Sequence, residues 1–384
     1  MVTREEECDL ILKTKVTLLC VFMLLLLVTA CSNHDSLLQM SAPERQTALK
    51  KLPPIEQAHA IYTLDVDEYR FVEVNGWFDD EEILYLTDEN GRSNLYRHHL
   101  FSGEQTLFYS TEEPILDVVP STNNKYFALK ISPIYSEANL LILDQNGDVL
   151  MEWIDDGVGF ELFWNPYEES DFLIGAIDQE YSSTVHHLNV ESDSRQEYDL
   201  LPSYLQWLSA DRIAYLYWED YSFGIDAPVY VQHLDDDVEV ADVLEQEVLT
   251  FFGLAEGKYI TLREKSSDPD YTEYKINDID RSGHEFSWDV PVLQTYSQDW
   301  WVPYFDHQED QFVYFHPQSP GDVYDYDDYF MLRSVNVDSG EQTELEEFER
   351  QKPVQLSPGG DWILVGDRME MLIHAKRGSR IPLM

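Results

Sequence analysis

From residue 60 to the C-terminus, the apolar positions come in short runs rich in Val, Ile, Leu, Phe, Tyr and Trp, broken by Gly, Asn, Asp and Ser. Period-two spacing and β-branched or aromatic content predict strands, and helical spacing is scarce. The runs recur in register on two ladders. On the first, a polar turn precedes an apolar strand at Ile83, Tyr126, Phe172, Ile213, Tyr259, Phe312 and Trp362, at intervals of 41 to 53 residues. On the second, an apolar residue closes a strand before a tight polar turn, at Leu100, Leu143, Leu188, Leu234, Ile279, Val337 and Ala375. Two of those turns share the word Ser-Gly-Glu-Gln-Thr, at 102–106 and 339–343.

Each unit therefore reads as four strands joined by hairpins. A four-stranded repeat of about 40–50 residues is the pattern of a β-propeller blade. Seven units are predicted, at 75–111, 114–154, 158–200, 203–247, 248–290, 292–347 and 353–384. The segment Ala60–Val66 is expected to add an edge strand to the last unit and close the ring. Trp77, Trp164, Trp207, Phe252 and Trp301 fall at comparable places on the first strands, where packing between blades is the plainer use and a ligand box the sharper one. A two-sheet sandwich is the competing fold, but it does not require two ladders at one period.

The first thirty residues follow another pattern. Val16–Ala30 is an uncharged apolar run preceded by Lys13 and Lys15. It is short for a membrane span of about 20 residues and suits the hydrophobic region of a secretory signal. Leu27-Val28-Thr29-Ala30-Cys31 then places a small residue before a cysteine, as in a bacterial lipobox. This predicts cleavage after residue 30, with acyl chains such as palmitate on Cys31. Glu5, Glu6, Glu7 and Asp9 are unusual upstream of such a run. Cys8 and Cys20 would leave with the leader, so the exported part holds no further thiol for a disulfide or a cysteine-ligated metal. The predicted organisation is a signal peptide at 1–30, a flexible tether at 31–58 containing Pro53-Pro54, and a propeller at 59–384.

Composition changes the picture in one respect. The 384 residues hold 74 acidic and 25 basic side chains, a formal net charge of -49. Only three bases and four acids lie in residues 1–30, so the acidity belongs to the exported part. A field of that sign repels nucleic acid and anionic lipid, which excludes phosphate-driven partners. Hydrophobic residues at 43% are too many for an acidic disordered chain. Such acidity fits a salt-loving or alkaliphilic bacterium.

Candidate chemistry concentrates in three long segments placed between second and third strands, 219–228, 265–273 and 316–329. They carry Tyr221, Asp226, Asp268, Asp270, Tyr271, Asp322, Tyr324, Asp325, Tyr326, Asp327 and Asp328. Tyr gives contact area at low entropic cost and carboxylates select cations, whereas the plainer reading is solvated loops. Ca²⁺ is the one cofactor these patterns suggest, at 322–328 or, more weakly, at Asp278-Ile279-Asp280 with Asp289 twelve positions into an EF-hand-like run. His98-His99-Leu100, His186-His187-Leu188 and Gln232-His233-Leu234 read as copies of one strand in different blades, so they are not expected to share a metal. No nucleophile elbow, zincin helix, P-loop or dinucleotide fingerprint occurs.

Lipobox, tether and all-β repeats together resemble the YqgU-like β-propeller lipoproteins of Bacillus-type Gram-positive bacteria. That resemblance implies anchoring on the outer leaflet of the cytoplasmic membrane and implies no activity. It also implies six blades, one fewer than the units counted above. The functional expectation is a monomeric, non-catalytic binding propeller that recognises a protein, peptide or glycan on its loop-rich face. A surface hydrolase using carboxylates near the channel is the alternative.

Overall fold

Seven antiparallel four-stranded sheets, each built from strands in chain order, follow one another along the chain. The computed structural model describes residues 60–132, 139–154, 157–180, 182–198, 204–218, 225–234, 242–280, 286–295 and 300–384. The predicted signal peptide, Cys31, the tether and Tyr221 lie outside these residues. The blades run Phe71–Thr111, Ile115–Ile154, Gly159–Tyr198, Gln206–Val248, Thr250–Pro291, Phe305–Phe348 and Val354–Pro382, and are numbered 1 to 7 in that order. The predicted all-β propeller and its seven units are therefore the observed architecture.

The core shows that the ring closes. Buried apolar side chains fall into seven clusters, and each joins two neighbouring blades. One of them sets Phe71, Trp77 and Tyr85 of blade 1 against Leu364 and Leu372 of blade 7. Seven junctions among seven blades leave no open seam.

The two ladders have a structural cause. At the turn between first and second strands, the N–H of Phe78, Ser121, Asn165, Leu208, Leu254 and Ser357 donates to the C=O of Glu82, Tyr126, Asp171, Arg212, Lys258 and Trp362. The next residue is the core position: Ile83, Phe127, Phe172, Ile213, Tyr259 and Ile363, each at most 3% exposed. In blades 2 and 7 the ladder residue is thus Phe127 and Ile363, one place beyond the Tyr126 and Trp362 expected from the pattern. On the second ladder, Leu100, Val190, Leu234, Ile279, Val337 and Ala375 donate to the start of the second strand. Blade 3 uses Val190 and not Leu188, so His186 and His187 sit two places out of register with His98 and His99. His187 faces Asp171 (3.6 Å) and His233 faces Asp211 (3.5 Å), while His98 Nε2 meets Tyr62 O at 2.9 Å. The three rings thus sit in different blades and meet separate partners.

The innermost strands carry a recurrent stitch. Nε1–H of Trp77 donates to Gln355 O (3.3 Å), that of Trp164 to Val119 O (3.0 Å), and that of Trp207 to Phe163 O (3.0 Å). In each case the acceptor belongs to the preceding blade. Blade 5 has Gly253 at this position, because a Cβ there would run into the carbonyl of Trp207. Its N–H instead donates to Gln206 Oε1 at 3.3 Å. Blade 7 repeats the device, with Leu356 N–H donating to Asp306 Oδ2 at 2.7 Å. Phe252, one residue from the aligned position, packs on Phe305 with ring centroids 4.0 Å apart. Trp301 is not on an innermost strand. It lies in the link before blade 6, in a small sheet of Leu293–Gln294, Trp300–Trp301 and Gly321–Asp322, and is 37% exposed. The first strand of blade 6 begins only at Phe305, and His307 occupies the tryptophan position.

Residues 60–66 contribute to closure without forming a strand. Tyr62 N–H donates to Leu100 O of blade 1 (2.8 Å) and Leu64 N–H to Leu383 O beyond the last strand of blade 7 (2.7 Å). Leu64 is buried in the cluster that joins those blades.

Burial pushes the Asp306 carboxyl from 3.8 up to about 7, against the pull of the Leu356 and His307 N–H groups, and pushes His307 from 6.5 down to about 4. Asp306 therefore favours the folded state below pH 3.8 and loses that contribution as pH rises through about 7. His307 contributes above pH 6.5 and loses its contribution as pH falls through about 4. Between these limits the two slopes oppose each other. Relative to the wild type, Asp306→Asn, which keeps an acceptor for Leu356, is expected to make stability rise more steeply from about pH 4 to 6.5, whereas His307→Gln shifts the slope the opposite way over the same range. Urea midpoints across that range check both, and identical profiles for the two variants would refute the assignment.

Candidate functional site

The two ends of the ring are built differently. At the end carrying the turns between first and second strands, neighbouring blades are tied directly. Asp80 Oδ1 accepts from Gly359 N (2.5 Å), Asn124 Nδ2 donates to Phe78 O (3.1 Å), and Glu169 Oε1 accepts from Asn123 N (2.6 Å) and Nδ2 (2.7 Å). Asn165 Nδ2 donates to Ala210 O at 3.0 Å. Two ties skip blades. Tyr167 OH donates to Leu254 O (3.2 Å) and accepts from Gly257 N (3.1 Å), reaching from blade 3 to blade 5. Gln308 Nε2 donates to Thr122 O at 3.5 Å, joining blade 6 to blade 2. A depression of about 460 Å³ on this end is lined by Asp79, Asp80, Asn123, Asn124 and Gln145. Many of its polar groups are already engaged: Asp79 holds the N–H of Glu81 and Glu82, and Gln145 donates to Asn124 O.

The opposite end carries the loops between second and third strands and the links between blades, including the predicted rim residues other than Tyr221, which lies outside the described residues. Blade 1 turns there in two residues, Asn90 and Gly91, both at positive φ as a tight hairpin requires. Blades 5 and 6 differ. Lys265 Nζ pairs with Asp289 Oδ2 at 2.5 Å and lies 5.9 Å from the ring centre of Tyr271. Asp268 closes the local turn, its carbonyl accepting from Tyr271 N and its carboxylate from Asp270 N. Val292 joins the two loops: its N–H donates to Asp270 O (2.9 Å) and its C=O accepts from Gly321 N (3.0 Å).

Within 318–329 the predicted residues are brought together, but several hold the loop itself. Tyr326 OH accepts the N–H of Gln318 (2.8 Å) and Ser319 (3.1 Å), and its ring packs on Phe330. Asp322 Oδ1 accepts from Tyr324 N (2.8 Å), and Asp328 accepts from Tyr329 N (2.9 Å) and Ser319 Oγ (3.0 Å). Tyr324, 63% exposed, and the exposed Asp325 and Asp327 are presented outward. Asp226 stands exposed before the third strand of blade 4. The carboxylates do not converge as Ca²⁺ ligands. Among the described residues no three acidic, His or Cys side chains are arranged to hold a metal, and Asp289 of the EF-hand-like run is paired with Lys265.

Pattern reasoning missed a cleft of about 310 Å³ on this end, between blades 2 and 3. Asp117, Lys130 and Glu161 supply its charges, and Val119, Phe160 and Leu162 are among its apolar walls. Lys130 Nζ donates to Phe160 O at 3.3 Å and lies 4.5 Å from the centre of that ring. Asp117 stays open to solvent, yet the surrounding walls push its carboxyl up, a rise limited by the Val118 N–H on Oδ1 (2.8 Å) and by Lys130. Size and lining are those of a ligand pocket, mostly apolar with a few placed polar groups.

The chain matches the family model described as a YqgU-like 6-bladed beta propeller domain over residues 99–366, a span containing blades 2 to 6 complete. The structure has seven four-stranded blades where that description has six. Among curated proteins the chain is 22% identical to the uncharacterized lipoprotein YqgU of Bacillus subtilis over 301 residues, covering 78% of this chain and 81% of that protein. Among solved structures, the uncharacterized protein lmo1340 from Listeria monocytogenes superposes with a TM-score of 0.75 at 16% identity, covering 84% of this chain and 97% of that one. The β-propeller domain of the trilobed protease from Pyrococcus furiosus gives 0.54 at 11% identity, covering 82% and 97%. At these identities the two structures show a shared fold alone.

Tyr326→Phe removes the acceptor of two N–H groups and is expected to loosen 318–329 by about 1–2 kcal/mol while leaving the ring intact. Hydrogen exchange should quicken in that segment alone. Unchanged exchange there would refute the strut assigned to Tyr326.

Proposed function

Because the chain belongs to the YqgU-like β-propeller family, we propose that it is an exported lipoprotein whose propeller recognises a protein, peptide or glycan outside the cytoplasmic membrane. Residues 1–30 serve as signal peptide, Cys31 carries the acyl chains, and 31–58 tether the ring of 59–384. The B. subtilis relative is a lipoprotein, and Leu27 to Cys31 supply the chemistry that such processing needs: small residues at the cleaved bond and a thiol to acylate. Stable anchoring takes more than one acyl chain.

The difference between the ends carries the reading of recognition. One end is tied blade to blade by side chains, and the other presents loops stiffened from within, with Tyr324, Asp325 and Asp327 outward on blade 6 and a mostly apolar cleft between blades 2 and 3. Rigid loops lose little entropy on binding, which favours affinity from modest contacts. A second reading, a surface hydrolase, rests on Asp117, whose raised carboxyl is suited to proton donation, together with Glu161 in the same cleft.

The expected outcome is that wild-type cells incorporate labelled palmitate into the protein and Cys31→Ser cells do not. A photo-crosslinker at position 324 should trap a partner that one at Asn146, on the tied end, does not. Equal labelling of the Ser variant would remove the anchor, and equal trapping from both ends would remove the directional face. Glycan or phosphoester turnover that disappears with Asp117→Asn would favour the hydrolase.

A further inference from the structure

The cleft between blades 2 and 3 has surroundings unlike the rest of the acidic surface. At the same end of these blades, Leu116 precedes Asp117 on the innermost strand, and Ile154 and Val158 close one blade and open the next at 67% and 58% exposure. Ile177, also exposed, accepts the N–H of Val158 at 2.7 Å. Scattered exposed apolar residues need no explanation, but four at the loop-side strand ends of the two blades that form the cleft add apolar surface to that end. Inside, Asp117 and Glu161 outnumber Lys130, whose ammonium is already engaged by the carbonyl and ring of Phe160.

We propose that this cleft binds a peptide segment of an extracytoplasmic protein, seating a bulky apolar side chain against Val119, Phe160 and Leu162 while a neighbouring Lys or Arg meets Glu161 and Asp117. The proposal rests on the recognition reading and names the ligand class of that face. The occupant follows from complementarity. An apolar group is needed to displace water from the walls, and a cation is the flank that a chain of net charge -49 attracts. An acidic or phosphorylated segment would be repelled both by the pair of carboxylates and by the whole surface field. Burying part of the Glu161 carboxylate beside a ligand cation also places that pair in a less screened setting than an open surface pair.

The test uses fluorescently labelled peptides with the cores Lys-Trp-Lys, Lys-Ala-Lys and Glu-Trp-Glu, titrated against the full-length protein in detergent. Lys-Trp-Lys is expected to bind at least about tenfold tighter than Lys-Ala-Lys, with no measurable binding of Glu-Trp-Glu. Leu162→Trp, which fills the cleft, and Glu161→Gln, an exposed change that leaves the fold alone, should each weaken Lys-Trp-Lys several-fold. Only Leu162→Trp should abolish the advantage over Lys-Ala-Lys. Equal binding of the two cationic peptides, or indifference to Glu161→Gln, would mean diffuse attraction to the acidic surface and overturn the proposal. Partner trapping by a photo-crosslinker at the exposed position 116, next to Asp117, that survives both cleft variants would overturn the cleft while leaving the propeller a recognition module.

Discussion

A four-stranded antiparallel sheet has two apolar faces and cannot cover either by itself, so every blade here depends on the junction with its neighbours. The seven buried clusters are junction clusters, and the ring is as stable as its weakest seam. The innermost strands show how the seam is held where blades come closest. An indole N–H reaches back to the carbonyl of the preceding blade at Trp77, Trp164 and Trp207. Where the indole is missing, the polarity is exchanged: the backbone N–H of Gly253 or Leu356 finds a side-chain oxygen on the preceding blade. Both solutions satisfy a polar group in a crowded place, which is why the position tolerates Trp, Gly and Leu without losing the stitch. Ion pairs across blades add to it, as at Lys125–Glu191 and Lys258–Asp338, where the scarce basic residues face carboxylates of the next blade. Such solvent-exposed pairs are screened and add little to the seams beside the buried clusters.

This dependence on junctions explains what was legible in the sequence. Periodic features survive because every blade solves one packing problem, so Ile83, Phe172, Ile213, Tyr259 and Phe312 repeat at the spacing of a blade. Exact register does not survive in the same way. The strand Tyr126–Ile131 is buried on both faces, so Tyr126 and Phe127 look equally apolar and a one-residue slip leaves no mark on the pattern. Leu188 and Val190 are confused for a related reason, since both are apolar and a two-residue slip keeps the same face. Trp301 misled because an aromatic residue near the right interval imitates the inner-strand position, while the chain in fact detours through a small sheet before Phe305.

The candidate site was legible only in part, for a different physical reason. Loop residues such as Tyr324 and Asp325 announce themselves through length and composition. What the string of letters hides is which of them hold the loop up: Tyr326 and Asp328 differ from their neighbours only in the partners they find on folding. The cleft is harder still. Asp117 and Glu161 belong to different repeats and meet across a junction, and in a chain with 74 acids no single carboxylate stands out. A site formed between blades is invisible to any reading that treats one blade at a time.

The contrast between the two ends then has a mechanical sense. Ties such as Asn165 to Ala210 and Tyr167 to Leu254 bind turns of different blades to one another, so that end resists relative movement of the blades. Loops at the opposite end are anchored on strands whose separation is thereby fixed, and a surface assembled from several blades keeps its geometry without needing contacts among all its own loops. A ligand that bridges blades 2 and 3 meets walls already in place, and the entropy of aligning them has been lost during folding rather than at binding. The same walls account for the raised carboxyl of Asp117, because they keep from it part of the water that would restore its ordinary acidity.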